Sequence, residues 1–337
     1  MSYPCLKINL SKIANNCRII YDRCARLGIS VVGVSKCVLG DVRIAGVFKN
    51  SGIEMIGDSR LKNLKKLSDF FGHDQKLILL RTPMISEIDE MLDICYASMN
   101  TQQDTVKRIS ESITEKSFRH KIIIMVETDD RREGLLPQEV IPFCSFVKKN
   151  CPGIEIWGLG TNARCISEKK PTQASIELLI NLRDRIKEEL SIYIPVISGG
   201  NSSIWDQIEN GLIPKGINQV RIGEAILLGC ETSGYRHIPG AHTDVFLLES
   251  EVIEVKRKNG KVYKLIIALG IQDVSYKNIS CKNPLLEIID QSSDHTVMLV
   301  NESTVFKAGD IISFQLNYFG LLSCMTSPFV EKIYIES

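Results

Sequence analysis

The sequence predicts an α/β protein: a (β/α)8 TIM barrel with a smaller C-terminal antiparallel β domain. Three observations predict it. Eight short β-branched runs recur before residue 236, amphipathic stretches of helix length separate them, and beyond residue 236 strand-like segments follow one another without such stretches. Eight strand–helix units close on themselves as a parallel barrel, whereas strands in direct succession pair antiparallel.

In order, the eight runs are VVGVS (31–35), EMIGD (54–58), LILLR (77–81), ICYAS (94–98), IIIMVE (122–127), IEIWGLG (154–160), YIPVIS (193–198) and NQVRIG (218–223). Helical candidates between them include DVRIAGVFKN, SRLKNLKKLSDFF, TQQDTVKRISESI and TQASIELLINLRDRIKEEL. Several open on a Ser, Thr or Asp able to cap the first turn. The later segments are TDVFLLESEVIEVK, KVYKLIIALG, LLEIID, TVMLV, DIISFQL and VEKIYIE, and Asn259-Gly260 marks a hairpin turn between the first two. CLKINL precedes the helix SKIANNCRIIYDRCARL and is expected to pair with the β domain. The expected division is a barrel over 11–235 and a β domain over 236–337 with the strand in 1–10.

Composition narrows the function classes. With 44% hydrophobic and 24% charged residues over 337 positions, the chain is globular in type. Forty-one Lys and Arg against forty Asp and Glu leave a net charge of +1 with no basic block, so nucleic acid is not an expected partner. No apolar run reaches the ~18 residues of a membrane span, and MSYPCLKINL lacks the pattern of an export signal. A cytoplasmic protein without a membrane partner is expected. The eleven cysteines are odd in number and form no CxxC pair, which reads as reduced thiols and no metal site.

In such barrels chemistry sits at the C-terminal ends of the strands. Lys36 follows the first run, Asp58 ends the second, Arg81 ends the third and Asn100 follows the fourth. Glu127 and Arg132 come after the fifth and Thr161-Asn162 after the sixth. SGGNSSI follows the seventh, and the eighth ends in VRIGEAI. A phosphate in this fold rests on the loops after strands seven and eight. Gly199-Gly200-Asn201-Ser202-Ser203 and Gly223-Glu224 offer close backbone approach and donors there. Lys36 ends the apolar stretch VVGVSK, where lost solvation would lower its pKa and make it a nucleophile toward a carbonyl. Pyridoxal 5′-phosphate brings both a phosphate and an aldehyde. The plainer alternatives are a glycine turn followed by an ordinary helix cap, and a surface lysine at a strand end.

LKINLSKIANNCRII, VVGVSK, VETDDRREG, GLGTNARC, SGGNSS and VRIGEA resemble, in order, the motifs of the alanine-racemase-like, fold type III, pyridoxal phosphate enzymes. The resemblance is closest to the ornithine racemase type and runs through the SSDH and LLSCMTSP stretches near the end. It implies that Lys36 carries the cofactor and serves as one acid/base at the substrate α-carbon. It implies that Arg132 lies near the phenolic oxygen, that Asn201, Ser202, Gly223 and Glu224 belong to the phosphate site, and that Arg221 faces the pyridine nitrogen. Asn162 stands where alanine racemases carry a histidine beside the ring.

A guanidinium keeps its proton, so the ring nitrogen facing Arg221 would stay unprotonated, which favours racemisation over transamination. Inversion also needs a second acid/base on the opposite face. The family's tyrosine is replaced here by Ile271 of LGIQDV, leaving Asp273, His295, Tyr318 and Cys324 as candidates, with His295 best matched by pKa. The resemblance further implies a homodimer and a free amino-acid substrate, ornithine or another basic one. A carboxylate for its cationic end is sought among Asp129, Asp130 and Glu133. Metal-dependent relatives carry a histidine two residues before the final cysteine, and Leu322 holds that place before Cys324. Competing readings are a pyridoxal phosphate homeostasis protein without turnover, a pyridoxal phosphate-dependent amino-acid decarboxylase and a Schiff-base aldolase.

Overall fold

Strand β1 (Cys5–Asn9) and helix α1 (Leu10–Ala25) open the chain in the computed structural model, which describes residues 2–114, 118–128, 130, 132–301 and 305–336. Eight strand–helix units follow. β2 (Ser30–Val34) leads to α2 (Val42–Asn50), β3 (Met55–Asp58) to α3 (Leu61–Phe71), β4 (Lys76–Leu79) to α4 (Ile88–Ile94), and β5 (Ala97–Asn100) to α5 (Gln103–Thr114). β6 (His120–Met125) leads to α6 (Pro137–Asn150), β7 (Ile154–Gly160) to α7 (Gln173–Leu190), β8 (Val196–Ser198) to α8 (Trp205–Glu209), and β9 (Gln219–Ile222) to α9 (Glu224–Leu228). β2 to β9 form a closed barrel in sequence order, every adjacent pair parallel, and β2 meets β9 with Val32 opposite Arg221. Each of the eight expected runs overlaps one barrel strand. The fourth is displaced: Ile94 ends α4 and the strand begins only at Ala97.

The caps explain why the helices start where they do. Asp41 accepts from the backbone N–H groups of Arg43 and Ile44, both at 3.0 Å, and Thr172 accepts from that of Ser175 at 3.0 Å. Val32, Ile78, Met99, Ile123 and Met125 pack together as one apolar layer, while a second layer joins the outer face of β3 and β4 to α3 and α4 through Ile56, Leu64, Leu77 and Met91. Strand side chains alternate, so Gly33 takes the opposite face from Val32. A Cβ on Gly33 would lie 2.7 Å from Phe48 of α2, so the glycine lets that helix pack against the strand.

By contact the chain falls into two units. One comprises Asn16–Lys36 and Gly40–Ala241; the other comprises the N-terminal segment through Asn15, Cys37–Leu39 and the chain from His242 onward. The second unit carries β10 (Phe246–Lys258), β11 (Lys261–Ile267), β12 (Ile279–Cys281), β13 (Leu286–Gln291), β14 (Thr296–Val300), β15 (Ile311–Leu316), helix α10 (Tyr318–Thr326) and β16 (Glu331–Ile335). Its sheet runs β12-β15-β10-β11-β14-β13, and β1 joins it between β10, antiparallel, and β16, parallel. Asn259 (φ 52°) and Gly260 (φ 76°) are both left-handed, as the two-residue hairpin between β10 and β11 requires.

Two elements depart from the expectation that this region lacks helices and has six strands. The three-residue β12 is too short to leave a pattern. α10 is apolar through most of its length, so it carries no amphipathic signal, and it is started by Asn317, whose side chain accepts from the Gly320 N–H at 2.9 Å. Among the described residues, no helix is long and apolar enough to cross a membrane.

A buried histidine makes the barrel acid-sensitive. His120 at the start of β6 is 1% exposed, its Nε2 lies 2.8 Å from Ser98 Oγ, and burial pulls its imidazole down to about 4, helped by the charge of Lys121. The unfolded chain takes up this proton near its ordinary value of 6.5, whereas the folded chain refuses it until about 4. The contribution is therefore fully present above about 6.5 and is lost as pH falls toward about 4, reaching roughly 3 kcal/mol. Urea unfolding at pH 7 and at pH 4.5 should show a smaller acid loss for His120→Gln than for the unaltered protein.

Candidate active site

All eight barrel strands are parallel, so their C-terminal ends open on the same side, and the candidate residues of the barrel unit gather there. Lys36 lies two residues beyond β2. Arg132 lies between β6 and α6, and Asn162 lies just after β7. Asn201 and Ser202 lie between β8 and α8, Gly223 follows β9, and Glu224 opens α9. Arg221 sits within β9. Asp273 and His295 belong to the other unit.

Lys36 is positioned through its neighbour. Ser35 is wholly buried and donates through Oγ to Asp58 Oδ2 at 2.8 Å. Asp58, also wholly buried, accepts through Oδ1 from the Arg60 N–H (2.9 Å) and Asn63 Nδ2 (3.1 Å). Burial pushes the Asp58 carboxyl up, opposed by these hydrogen bonds. Asp58 is thus committed to the structure of the β2 and β3 ends. Arg81 is likewise engaged, by Glu87 at 2.7 Å and the Ser59 carbonyl at 2.6 Å.

Arg221 lies inside the barrel at 3% exposure. Its Nη1 donates to the Ser198 Oγ and, at 3.3 Å, to the Ser198 carbonyl; its Nη2 donates to the Thr161 carbonyl and to Asn162 Oδ1 at 2.8 Å. Burial pulls the guanidinium down to about 10, which still leaves it protonated at neutral pH. A Cβ on Gly160 would press on Met125 Sδ at 3.0 Å and Ile123 at 3.2 Å, so this glycine serves the packing of β6 against β7.

The loops after β8 and β9 are tied together before any ligand is considered. The Ala225 N–H donates to Ser202 Oγ at 3.2 Å. Asn201 Oδ1 accepts from the Ser203 N–H (3.0 Å), and its Nδ2 donates to the Ala163 carbonyl (2.9 Å) and Cys165 Sγ (3.2 Å), joining the β7 and β8 loops. Gly200 has φ +147°, a conformation that side chains rarely adopt, and a Cβ on Gly223 would lie 2.8 Å from the Val34 carbonyl oxygen. Both glycines are therefore required by the backbone itself.

Two of the acids of the VETDDRREG stretch, Asp130 and Glu133, have partners. Asp130 is 2% exposed, and its Oδ1 accepts from the N–H groups of Cys165 (2.7 Å) and Ile166 (3.1 Å), so it braces the loop after β7. Glu133 pairs with Arg132 Nη2 at 2.9 Å. Asp129 lies outside the described residues. Sequence reasoning passed over the Glu224 side chain. Its Oε1 is buried and accepts no hydrogen bond among the described residues. Burial pushes its carboxyl up to about 7, against the pull of Lys36 and Arg164. The only signal was its position, an acid directly after the glycine of VRIGEA.

In the other unit, Asp273 is buried and accepts through Oδ2 from the Gly270 N–H at 2.9 Å, closing its own turn. His295 is half-buried, with Nδ1 2.8 Å from Asp294 Oδ1. Cys324 is wholly buried, and burial pushes its thiol up to about 12.

The family described as "Alanine racemase, N-terminal domain" matches residues 8–230. A lysine racemase of Thermotoga maritima is 36% identical over 358 aligned positions covering 100% of both chains. An ornithine racemase of Acetoanaerobium sticklandii is 32% identical, covering 98% of this chain and 99% of the relative. Among solved structures, an alanine racemase of Clostridium difficile in complex with cycloserine superposes with a TM-score of 0.77 at 17% identity, covering 99% of this chain and 96% of that one, a likeness of fold.

The contact at Gly223 sets a measurable constraint. Gly223→Ala forces its Cβ against a backbone carbonyl, and urea unfolding should show a loss of about 1–3 kcal/mol. That outweighs the ~0.4–1 kcal/mol gained from a stiffer unfolded chain.

Proposed function

The chain belongs to the alanine racemase family, and from that premise we propose that it is a pyridoxal 5′-phosphate-dependent racemase of free basic amino acids, lysine and ornithine foremost. The observation that carries the reading is the conjunction at one barrel end: Lys36 beyond β2, a buried protonated Arg221 in β9, and two glycine loops already bound to each other through Ser202 and Ala225. The residues present fit the cofactor. A phosphate needs donors and close backbone approach, which Ser202, Asn201, Gly200 and Gly223 supply. An aldehyde needs an amine, and a ring nitrogen needs a donor. The substrate class is supported by the names of the two full-length relatives.

Bound to the protein, the cofactor would supply an electron sink that acidifies the α-carbon hydrogen of an attached amino acid. Lys36 would hold it covalently, then act as one base at that carbon. Ser202, with Asn201 and the backbone of Gly223 and Glu224, would hold the phosphate. Arg132 would lie beside the phenolic oxygen and Asn162 beside the ring. Arg221, which does not release its proton, would keep the ring nitrogen unprotonated and so confine reprotonation to the α-carbon. His295 is the proposed second proton-transfer group: the Asp294 carboxylate beside Nδ1 orients the ring. Asp273, already closing a turn through Oδ2, is the alternative. A cytoplasmic homodimer completes the reading.

Three outcomes test it. Supplied with the vitamer, the protein should become yellow, and borohydride should fix the cofactor on Lys36, as peptide mass spectrometry would locate; Lys36→Ala should remain colourless. Chiral chromatography should show L-lysine and L-ornithine converted to equal mixtures of enantiomers. His295→Ala should take up the cofactor normally while its kcat falls about 10²- to 10⁴-fold. A colourless protein with nothing fixed at residue 36 refutes the proposal.

A further inference from the structure

An acid left without a partner beside a working lysine invites the question of what it is kept for. Glu224 opens α9 directly after Gly223, and its Oε1 is buried with no hydrogen bond among the described residues. Leaving such an acceptor unmet destabilises a fold, and a charged one more so. The nearby cations are turned elsewhere or reserved. Arg164 donates through Nη1 to the Glu168 carbonyl at 3.2 Å and is hydrogen-bonded to Tyr235. Lys36 is the residue that the proposed function commits to the cofactor. The other described acids near the mouth each have a partner. Asp130 has two backbone N–H groups on Oδ1 and, although its Oδ2 accepts no described hydrogen bond, the Arg132 guanidinium 3.5 Å from that oxygen. Glu133 pairs with Arg132, and Glu231 accepts from the N–H groups of Ser233, Gly234 and Arg236.

We propose that the unpartnered Oε1 of Glu224 receives the side-chain ammonium of a basic amino acid and sets the preference for that substrate class. The inference rests on the racemase reading above and supplies a carboxylate where Asp130 and Glu133 are already paired. An ammonium carried on three or four methylenes brings the donor this oxygen lacks, while an apolar side chain of equal length leaves it buried and unmet. Discrimination against the apolar chain then comes from the unpaired acceptor as much as from the bond gained. Lys36 and Arg164 keep a share of the carboxyl ionised at neutral pH against the upward push of burial, so the acceptor is charged when the ammonium arrives.

Glu224→Gln and Glu224→Leu test this with two readouts. The first is the ratio of kcat/KM for lysine to that for norleucine, together with the dissociation constants of both, read from the absorbance of the bound cofactor. The ratio should fall about 10- to 100-fold in either variant, mainly through KM, as for one charge-assisted hydrogen bond. The second needs no turnover. Because the carboxyl is raised when folded, it weakens the fold progressively as pH rises from about 4.5 toward 7. The variants without substrate should therefore melt about 1–3 °C higher at pH 8. An unchanged ratio, an equal loss on lysine and norleucine, or a lower melting temperature overturns the inference while leaving the racemase reading standing. Failure of the unaltered protein to racemise lysine or ornithine overturns both.

Discussion

The barrel mouth is organised around one buried cation. Taking a guanidinium out of water is costly unless its donors are met, and Arg221 meets them with Ser198, the Thr161 carbonyl and Asn162, the first on β8 and the other two just beyond β7. No carboxylate pairs with it directly among the described residues, so the charge is solvated by neutral dipoles. Burial lowers its pKa, yet about 10 is far enough above neutrality that the ionised form persists. The strand ends that hold these dipoles cannot slide past one another without stripping the cation of acceptors. The loops that extend from them, carrying Asn162, Asn201, Ser202 and Gly223, inherit that register.

A second anchor governs Lys36. Ser35 precedes it and is bound to Asp58, which is itself held by the Arg60 N–H and Asn63 at the start of α3. The lysine therefore leaves a backbone fixed to the neighbouring βα unit, although its own side chain is only partly buried. Asp58 and Lys36 were equally prominent as strand-end residues in the sequence. Asp58 uses both oxygens on its surroundings, so it supports the mouth.

What the sequence made legible is what local physics repeats. The βα alternation, the caps at Asp41 and Thr172 and the Asn259-Gly260 turn each depend on a few adjacent residues, and each is found in the structure. The lysine and the glycine loops were legible because the barrel puts strand ends on one side. Interactions between distant segments were not. Nothing in VETDDRREG says that Asp130 braces a loop more than thirty residues later, so its carboxylate read as available. α10 was missed because an apolar helix has no period to detect, and the boundary of β5 because ICYAS is as hydrophobic at the end of α4 as in the strand.

The contrast between Asp130 and the half-buried Glu224 separates two uses of a carboxylate with a buried oxygen. Asp130, at 2% exposure, has two N–H groups on Oδ1 and the Arg132 guanidinium 3.5 Å from Oδ2, an oxygen that accepts no described hydrogen bond but faces a cation. Glu224 is where stability alone would not put a carboxylate. A leucine at the head of α9 would spare the chain an unmet acceptor, and no described hydrogen bond would be lost from Oε1. Residues that break a local rule without a structural return are expected at functional sites. Glu224 Oε1 is thus open to a cationic ligand, because there the ligand supplies a donor that no described residue provides.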